Sequence, residues 1–161
     1  MIEGQETKVM SVRDAIIEAM SEEMRRDENV FLIGEDVGVY GGDFGTSVGM
    51  LEEFGSERVR GTPISENAIS GCAVGAALTG MRPIVDVTFM DFIVYMMDNI
   101  VNQAAKTRYM YGGKGSVPVV FRCAAGSGLG SAAQHSQSLE SWFCHIPGLK
   151  VVAPGTPADV K

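Results

Sequence analysis

Gly61-Thr62-Pro63-Ile64-Ser65-Glu66-Asn67-Ala68-Ile69-Ser70-Gly71-Cys72-Ala73-Val74-Gly75-Ala76-Ala77-Leu78-Thr79-Gly80-Met81 runs between Arg60 and Arg82 with Glu66 as its one charged side chain. A solvent-facing helix carries Lys and Glu along its outer side, so Asn67 to Met81 reads as a helix buried all round. A carboxylate at the mouth of such a helix is costly unless something pairs with it. Two readings of Glu66 follow. It is a functional acid, or it only caps its own helix near the positive end of the dipole.

Short apolar segments flank this helix. A brief strand near Arg58 to Arg60 leads in, and Pro83 to Phe89 forms the next strand. Further upstream, Ser11 with Asp14 resembles a capping box, and a helix follows to about Asp27. Val30 to Ile33, closed by Gly34, reads as a buried strand. Gly38, Gly41, Gly42 and Gly45 make a loop, and a short helix spans Val48 to Phe54. Downstream, Asp91 opens a long helix to Tyr111, stopped by Gly112-Gly113. Its stripe of Ile93, Met96, Met97, Ile100, Val101, Ala104 and Ala105 is core, with part of it a candidate subunit contact. Val117 to Phe121 and Leu149 to Ala153 read as strands. Strands alternating with helices predict an α/β fold: three α/β/α layers around a mostly parallel, doubly wound sheet.

Thr156-Pro157-Ala158-Asp159 is a helix start, with a cap and a proline at the first helical position. A helix that opens five residues before Lys161 leads to the expectation that residues 1–161 are one domain of a longer natural chain.

A chain of 161 residues can build a real core, and 45% hydrophobic with 20% charged residues is ordinary globular composition. The formal net charge of −7 argues against nucleic acid or an anionic membrane surface as partner. No apolar run has the length of a membrane span. Met1 to Lys8 is polar and lacks a signal-peptide apolar segment. Cys72, Cys123 and Cys144 are far apart, with no Cys-x-x-Cys pair, which fits a reducing cytoplasm better than a disulfide framework or zinc site.

In open parallel sheets, ligands bind beyond the carboxyl ends of the strands. Those ends deliver Glu35-Asp36, Thr62 to Glu66, Met90-Asp91-Phe92, and a Gly-rich loop ending in Gln134-His135-Ser136-Gln137. Two acids, an aromatic and a histidine on one edge suit a polar aromatic ligand. Each also has a plainer reading. Glu35-Asp36 reads equally as a solvated loop pair, Phe92 as core, and His145, before Pro147-Gly148, as a turn residue. Gly126-Ser127-Gly128-Leu129-Gly130 has a dinucleotide-loop flavour, but Ser131 stands where the third glycine belongs and no long helix follows. A Rossmann-type nicotinamide oxidoreductase and a non-catalytic scaffold domain stand as rival classes.

Gly34-Glu35-Asp36-Val37, Thr62-Pro63-Ile64-Ser65-Glu66, the Asp98 to Arg108 stretch, Gln134-His135-Ser136-Gln137 and Pro147-Gly148-Leu149-Lys150-Val151-Val152 occur in this order. Together, from about residue 8 onward, they resemble the β subunit of the thiamine-diphosphate-dependent 2-oxo acid dehydrogenases. These are the decarboxylating components of pyruvate, branched-chain and acetoin dehydrogenase complexes. The family chain is about twice as long, so the resemblance implies a transketolase-like pyrimidine-binding domain without the C-terminal domain.

The resemblance also implies roles. Glu66 matches the glutamate that hydrogen-bonds a ring nitrogen of the aminopyrimidine, favouring the tautomer that deprotonates the thiazolium carbon. Phe92 matches an aromatic packed on that ring, and Ile64 a neighbouring apolar contact. Glu35 matches another acid near the cofactor. His135 matches a histidine near the thiazolium, able to neutralise charge or donate a proton. Val119 matches a main-chain ligand of a structural potassium ion found in some members. Gly61 stands where the family commonly has Asp, and Cys123-Ala124 replaces Thr-Pro or Gly-Pro.

The family's diphosphate and magnesium motif, which begins Gly-Asp-Gly, is missing; Gly42-Asp43 is followed by Phe44. A diphosphate needs counter-charge from a metal or from helix N-termini. The resemblance therefore implies an α subunit that holds diphosphate and magnesium, in an assembly of two α and two β chains. It further implies a lipoyl-bearing acyltransferase as the acceptor component. The implied function is cleavage of pyruvate or acetoin and transfer of the two-carbon unit to a lipoyl group, with a branched-chain 2-oxo acid as the alternative substrate. The Met-rich segment Asp91 to Tyr111 is a candidate contact surface.

Overall fold

The computed structural model describes residues 8–161. The polar stretch noted at Met1 to Lys8 therefore lies, up to residue 7, outside the described residues. Helix α1 (Val12–Arg26) starts where Ser11 Oγ accepts a hydrogen bond from Asp14 N at 3.0 Å. Strand β1 (Val30–Glu35), helix α2 (Met50–Phe54), strand β2 (Val59–Thr62), helix α3 (Glu66–Leu78) and strand β3 (Arg82–Phe89) follow. A helical run then spans 90–110. It opens as 3₁₀ turns (Met90–Met96), widens to a π segment (Asp98–Ala104) and closes as α4 (Ala105–Met110). Strand β4 (Val120–Ala124), a 3₁₀ turn (Ala133–His135), α5 (Glu140–Cys144) and α6 (Pro157–Val160) complete the order.

The four strands are parallel in the order β2-β1-β3-β4. Side chains alternate between the sheet faces. Val30, Leu32 and Ile84 pack with Met20, Met24, Met50 and Val59 under α1 and α2. Phe31, Ile33, Val85 and Val87 pack with Ile69, Ala73, Met96 and Ile100 under α3 and the π segment. This double-sided burial is the expected three-layer α/β/α arrangement. Gly34 is needed where β1 meets β3, because a Cβ there would lie 2.6 Å from the Asp86 carbonyl oxygen. No helix among the described residues is long and apolar enough to cross a membrane.

The structure corrects several expectations. Helix α3 is buried on one face only, through Ile69, Ser70, Ala73, Val74 and Ala77, while Asn67, Ala68, Cys72, Gly75 and Leu78 are exposed. Among the described residues the sheet, the 3₁₀ turns and the π segment cover one face of it, so its uncharged outer face reflects small residues and not enclosure. Residues 91–111 are not one α-helix. Asp91 is spent on a tertiary contact in place of capping, and the backbone passes from i→i+3 to i→i+5 bonding before α4. Of the expected core stripe, Ile93, Met96, Ile100 and Ala105 are buried, and Met97, Val101 and Ala104 are half-buried.

Strand β4 begins at Val120, not Val117, because Pro118 has no N–H for the ladder. Leu149–Ala153 forms no strand among the described residues, and Val152 is 76% exposed. A strand requires a partner for its backbone groups, and β4 pairs only with β3. Thr156 does form the expected capping box with Asp159.

Candidate functional site

The chain runs from β1 outward to β2, returns across β1 to β3, and continues to β4. The β1–β3 boundary is thus the topological switch point, and the crevice outside the carboxyl ends of these strands is where such a sheet accommodates a ligand. Glu35 closes β1, Thr62 closes β2, Glu66 opens α3, and Phe89 closes β3.

Glu35 and Thr62 are direct partners in the β1–β2 ladder. Glu35 Oε1 and Thr62 Oγ1 are both buried and have no hydrogen-bond partner among the described residues. Burial pushes the Glu35 carboxyl above its ordinary value, the negative charge of Glu66 adds to this, and a Ser65 backbone hydrogen bond opposes it. Asp43 and Asp36 contribute smaller upward effects. Asp36 itself is exposed, as expected for a solvated loop residue.

Glu66 is half-buried at the first position of α3. The Ser65 side chain makes no capping bond, and among the described residues the Glu66 carboxylate has no hydrogen bond or ion pair. Its helix is held from the other side. Asn99 Nδ2 donates to Asn67 O at 3.0 Å, Asn67 Oδ1 at 2.8 Å and Ser70 Oγ at 2.9 Å. The Asp98 to Arg108 motif thereby anchors the turn that presents Glu66.

The end of β3 is strained. Thr88 has φ 63°, in the left-handed region that β-branched residues avoid, and the β3–β4 register slips between Asp86 and Phe89. Asp86 Oδ1 accepts from Thr88 N at 3.0 Å and so secures the bulge. The same buried carboxylate pairs with Arg122 Nη2 and accepts from Thr46 Oγ1 at 3.3 Å. Arg122 Nη2 also donates to Thr46 Oγ1 at 2.8 Å, so the Gly-rich loop is tied to β3 and β4.

Beyond the bulge, Phe89 is the hub of an aromatic cluster. Its centroid lies 5.2 Å from Phe44, 5.7 Å from Phe92 and 4.7 Å from His135, all edge-on. Phe92 and His135 are 5.2 Å apart. The structure therefore brings His135 against Phe92, a contact beyond the shared sheet edge that the sequence suggested. Ile64 is 81% exposed beside Glu66, outside that cluster.

Val119 lies elsewhere, just before the amino end of β4, at the opposite edge of the parallel sheet. Among the described residues no group of three or more His, Cys, Asp or Glu side chains is placed to hold a metal ion. His145 is exposed at the end of α5, in keeping with a turn role.

Phe89, Phe44, Thr62 and the Asp86–Arg122 pair were not singled out from the sequence. Aromatic and acidic residues were visible there, but a left-handed Thr88 leaves no signature in residue order. The loop after β4 carries only the short 3₁₀ turn before α5, so no helix N-terminus follows the glycines as a dinucleotide site requires.

Two unpartnered buried oxygens and two half-buried acids thus lie at the carboxyl ends of β1 and β2, and an aromatic cluster with a histidine lies beyond β3. The sheet order defines the class: an α/β domain with a parallel sheet and a switch point beyond its strand ends. Residues 8–161 match the family model "Transketolase, pyrimidine binding domain", and the chain belongs to that family.

The chain is 50% identical over 158 residues to the pyruvate dehydrogenase E1 component subunit beta of Rhizobium meliloti (strain 1021), covering 98% of this chain and 34% of that protein. It is 49% identical to the Bacillus subtilis (strain 168) acetoin:2,6-dichlorophenolindophenol oxidoreductase subunit beta, covering 96% of this chain and 48% of the relative. It is 50% identical to the 2-oxoisovalerate dehydrogenase subunit beta of the same organism, covering 95% and 47%. The chain thus spans about a third to a half of these relatives. In structure it resembles the chain titled "Split gene transketolase, inactive beta4 tetramer", with a TM-score of 0.71 at 20% identity over 95% of this chain and 46% of that one; this likeness bears on the fold alone.

Proposed function

We propose that this chain is the pyrimidine-binding part of the β subunit of a thiamine-diphosphate-dependent dehydrogenase component. In this reading the enzyme cleaves pyruvate or acetoin and passes the two-carbon unit to a lipoyl group. The observation that carries it is the edge formed by Glu35, Thr62 and Glu66, where buried oxygens lack partners and an unpaired acid heads a helix. Near-equal identity to beta subunits named for pyruvate, acetoin and 2-oxoisovalerate supports the family chemistry and keeps the branched-chain acid as the alternative substrate.

The chain's own residues fit the aminopyrimidine. Glu66 is the acid that holds a ring nitrogen and biases its protonation. Thr62 and Glu35 have oxygens free for ring substituents, and burial with the nearby Glu66 charge raises the Glu35 carboxyl above its ordinary value. Phe92 supplies an aromatic face, and Ile64 an exposed apolar surface at the entrance. His135, braced by two phenylalanines, is the proton donor or charge-neutralising group for the acyl-transfer step. The bound cofactor contributes the nucleophilic carbon and the electron sink for carbon–carbon cleavage.

Diphosphate and magnesium fall to an α subunit, because the edge is acidic and Arg122 is committed to Asp86. We assign two α and two β chains, a lipoyl-bearing acyltransferase as acceptor, and Val119 as the main-chain contact if a potassium ion binds. A reducing cytoplasm is the proposed setting. Cys72, Cys123 and Cys144 are free thiols, and burial pushes Cys123 up to about 11, which keeps it unreactive.

The test is reconstitution of the full-length chain with its α partner. Turnover of a panel of pyruvate, acetoin and branched 2-oxo acids should require both thiamine diphosphate and magnesium. Glu66→Gln should abolish exchange of the cofactor's acidic C–H while leaving folding intact. Cofactor-independent turnover, or normal exchange in that variant, overturns the reading.

A further inference from the structure

His135 sits on a one-turn 3₁₀ helix that follows Ala132, itself at φ 64°. A turn of this length, in a loop from Gly126 to Ser138, has little to fix it internally. Gly126 N donates to Gln137 O at 3.0 Å and closes the loop ends. Gly130 N donates to Ser127 O at 3.1 Å and His135 N to Ala132 O at 3.3 Å within the loop, and its restraint from outside comes from the segment after β3. Gln137 donates to one atom, Asp91 Oδ1, twice: from its backbone N at 3.3 Å and from Nε2 at 2.7 Å. Leu139 N donates to the sulfur of the adjacent Met90 at 2.9 Å.

Asp91 is 6% exposed, an expensive place for a carboxylate. It lies in the first turn of the helical run, yet no backbone N–H of that turn is among the donors to its carboxylate. Its hydrogen bonds go to the residue two places after His135. Phe92, next to Asp91, and Phe89 hold the imidazole edge-on from below. One short segment, Phe89 to Phe92, therefore supports His135 both through its loop and through its ring.

We propose that Asp91 is a positioning residue for His135, acting through Gln137 to fix the turn that presents the imidazole. This rests on the assignment of His135 made above. The role needs an acceptor at Oδ1 and not a negative charge, so Asp91→Asn preserves it and Asp91→Ala removes it.

The test uses the full-length chain reconstituted with its α partner. Asp91→Ala is expected to lower lipoyl acylation turnover by about tenfold with KM for the 2-oxo acid nearly unchanged, as for a lost orientation and not a lost binding contact. Asp91→Asn should restore turnover to within about threefold of wild type. In a His135→Ala background, Asp91→Ala should change turnover by less than about twofold, because residues acting as one unit are not additive. Gln137→Leu, on an exposed side chain, removes the Nε2 bond but keeps the backbone one, and should give a smaller change in the same direction without disturbing the core.

Hydrogen exchange of the peptide covering 126–139 gives a readout that does not need activity. It should quicken in Asp91→Ala and Gln137→Leu and return to normal in Asp91→Asn. Unchanged turnover and exchange in Asp91→Ala, or losses from Asp91→Ala and His135→Ala that multiply, overturn the proposal. If the wild-type enzyme shows no thiamine diphosphate dependence, the functional reading falls, while the exchange experiment still decides whether Asp91 holds this loop.

Discussion

Glu35 and Thr62 face each other across the β1–β2 ladder, and each keeps a buried side-chain oxygen with no hydrogen-bond partner among the described residues. Native folds rarely leave such groups alone, because each costs about 1–3 kcal/mol. Two side by side at a strand edge are the observation on which the proposed aminopyrimidine site rests.

Glu35 carries a pH signature. Its folded-state carboxyl is raised by burial and by Glu66, so the folded chain holds the proton more tightly than the unfolded chain does. Its contribution to stability is therefore best at acid pH and is lost as pH rises from the ordinary glutamate value through the raised one. Glu35→Gln should stabilise the chain at pH 7 and give little gain at pH 4. Urea unfolding at both values checks this; equal effects at the two pH values would contradict it.

Gly34→Ala should be destabilising by about 1–3 kcal/mol, the range for an overpacked core. Its Cβ would stand 2.6 Å from the Asp86 carbonyl oxygen, and neither strand can yield without opening the β1–β3 pairing. Because Glu35 follows directly, cofactor affinity should fall together with stability. Chemical denaturation and a cofactor titration on the same sample measure both.

Arg122→Ala strips the buried Asp86 carboxylate of its charged partner and should cost about 3–5 kcal/mol. Asp86→Asn should cost less, since the amide oxygen can still accept from Thr88 N, although the bond that Thr46 Oγ1 donates to the other oxygen is lost. Similar losses for the two variants in denaturant melts would count against an ion pair as the element that ties the Gly-rich loop to the sheet.

His135→Ala should leave cofactor deprotonation near normal and slow acyl transfer to lipoamide by about 10²-fold or more, as for a lost general acid. Single-turnover measurements of the two half-reactions separate the steps. An equal loss in both would assign the histidine to cofactor binding.

Much of the edge was legible because strand-ending motifs need only local order. Gly34-Glu35 after an apolar run and Ser65-Glu66 before an uncharged helix place both acids without tertiary information. His135 and Phe92 were visible as residues, but their contact depends on a bulge at Thr88 and on Asp91 turning away from its helix to Gln137. Neither event follows from periodicity, since both replace a local hydrogen bond with a distant one.

Helix α3 shows the same division from the opposite side. Its lack of charge read as burial all round, yet half of it is exposed in this chain. Hydropathy reports what a residue tolerates, not what covers it.

By itself the sequence determined the alternation of strands and helices, the caps at Ser11 and Thr156, and the acids at the ends of β1 and β2, because these follow from nearest-neighbour backbone chemistry. Tertiary structure alone decided the strand order that creates the switch point, the Phe89 hub under His135, and the pairing of Asp86 with Arg122. Those features join residues dozens of positions apart, and only the packed sheet makes their energies comparable with the local preferences they override.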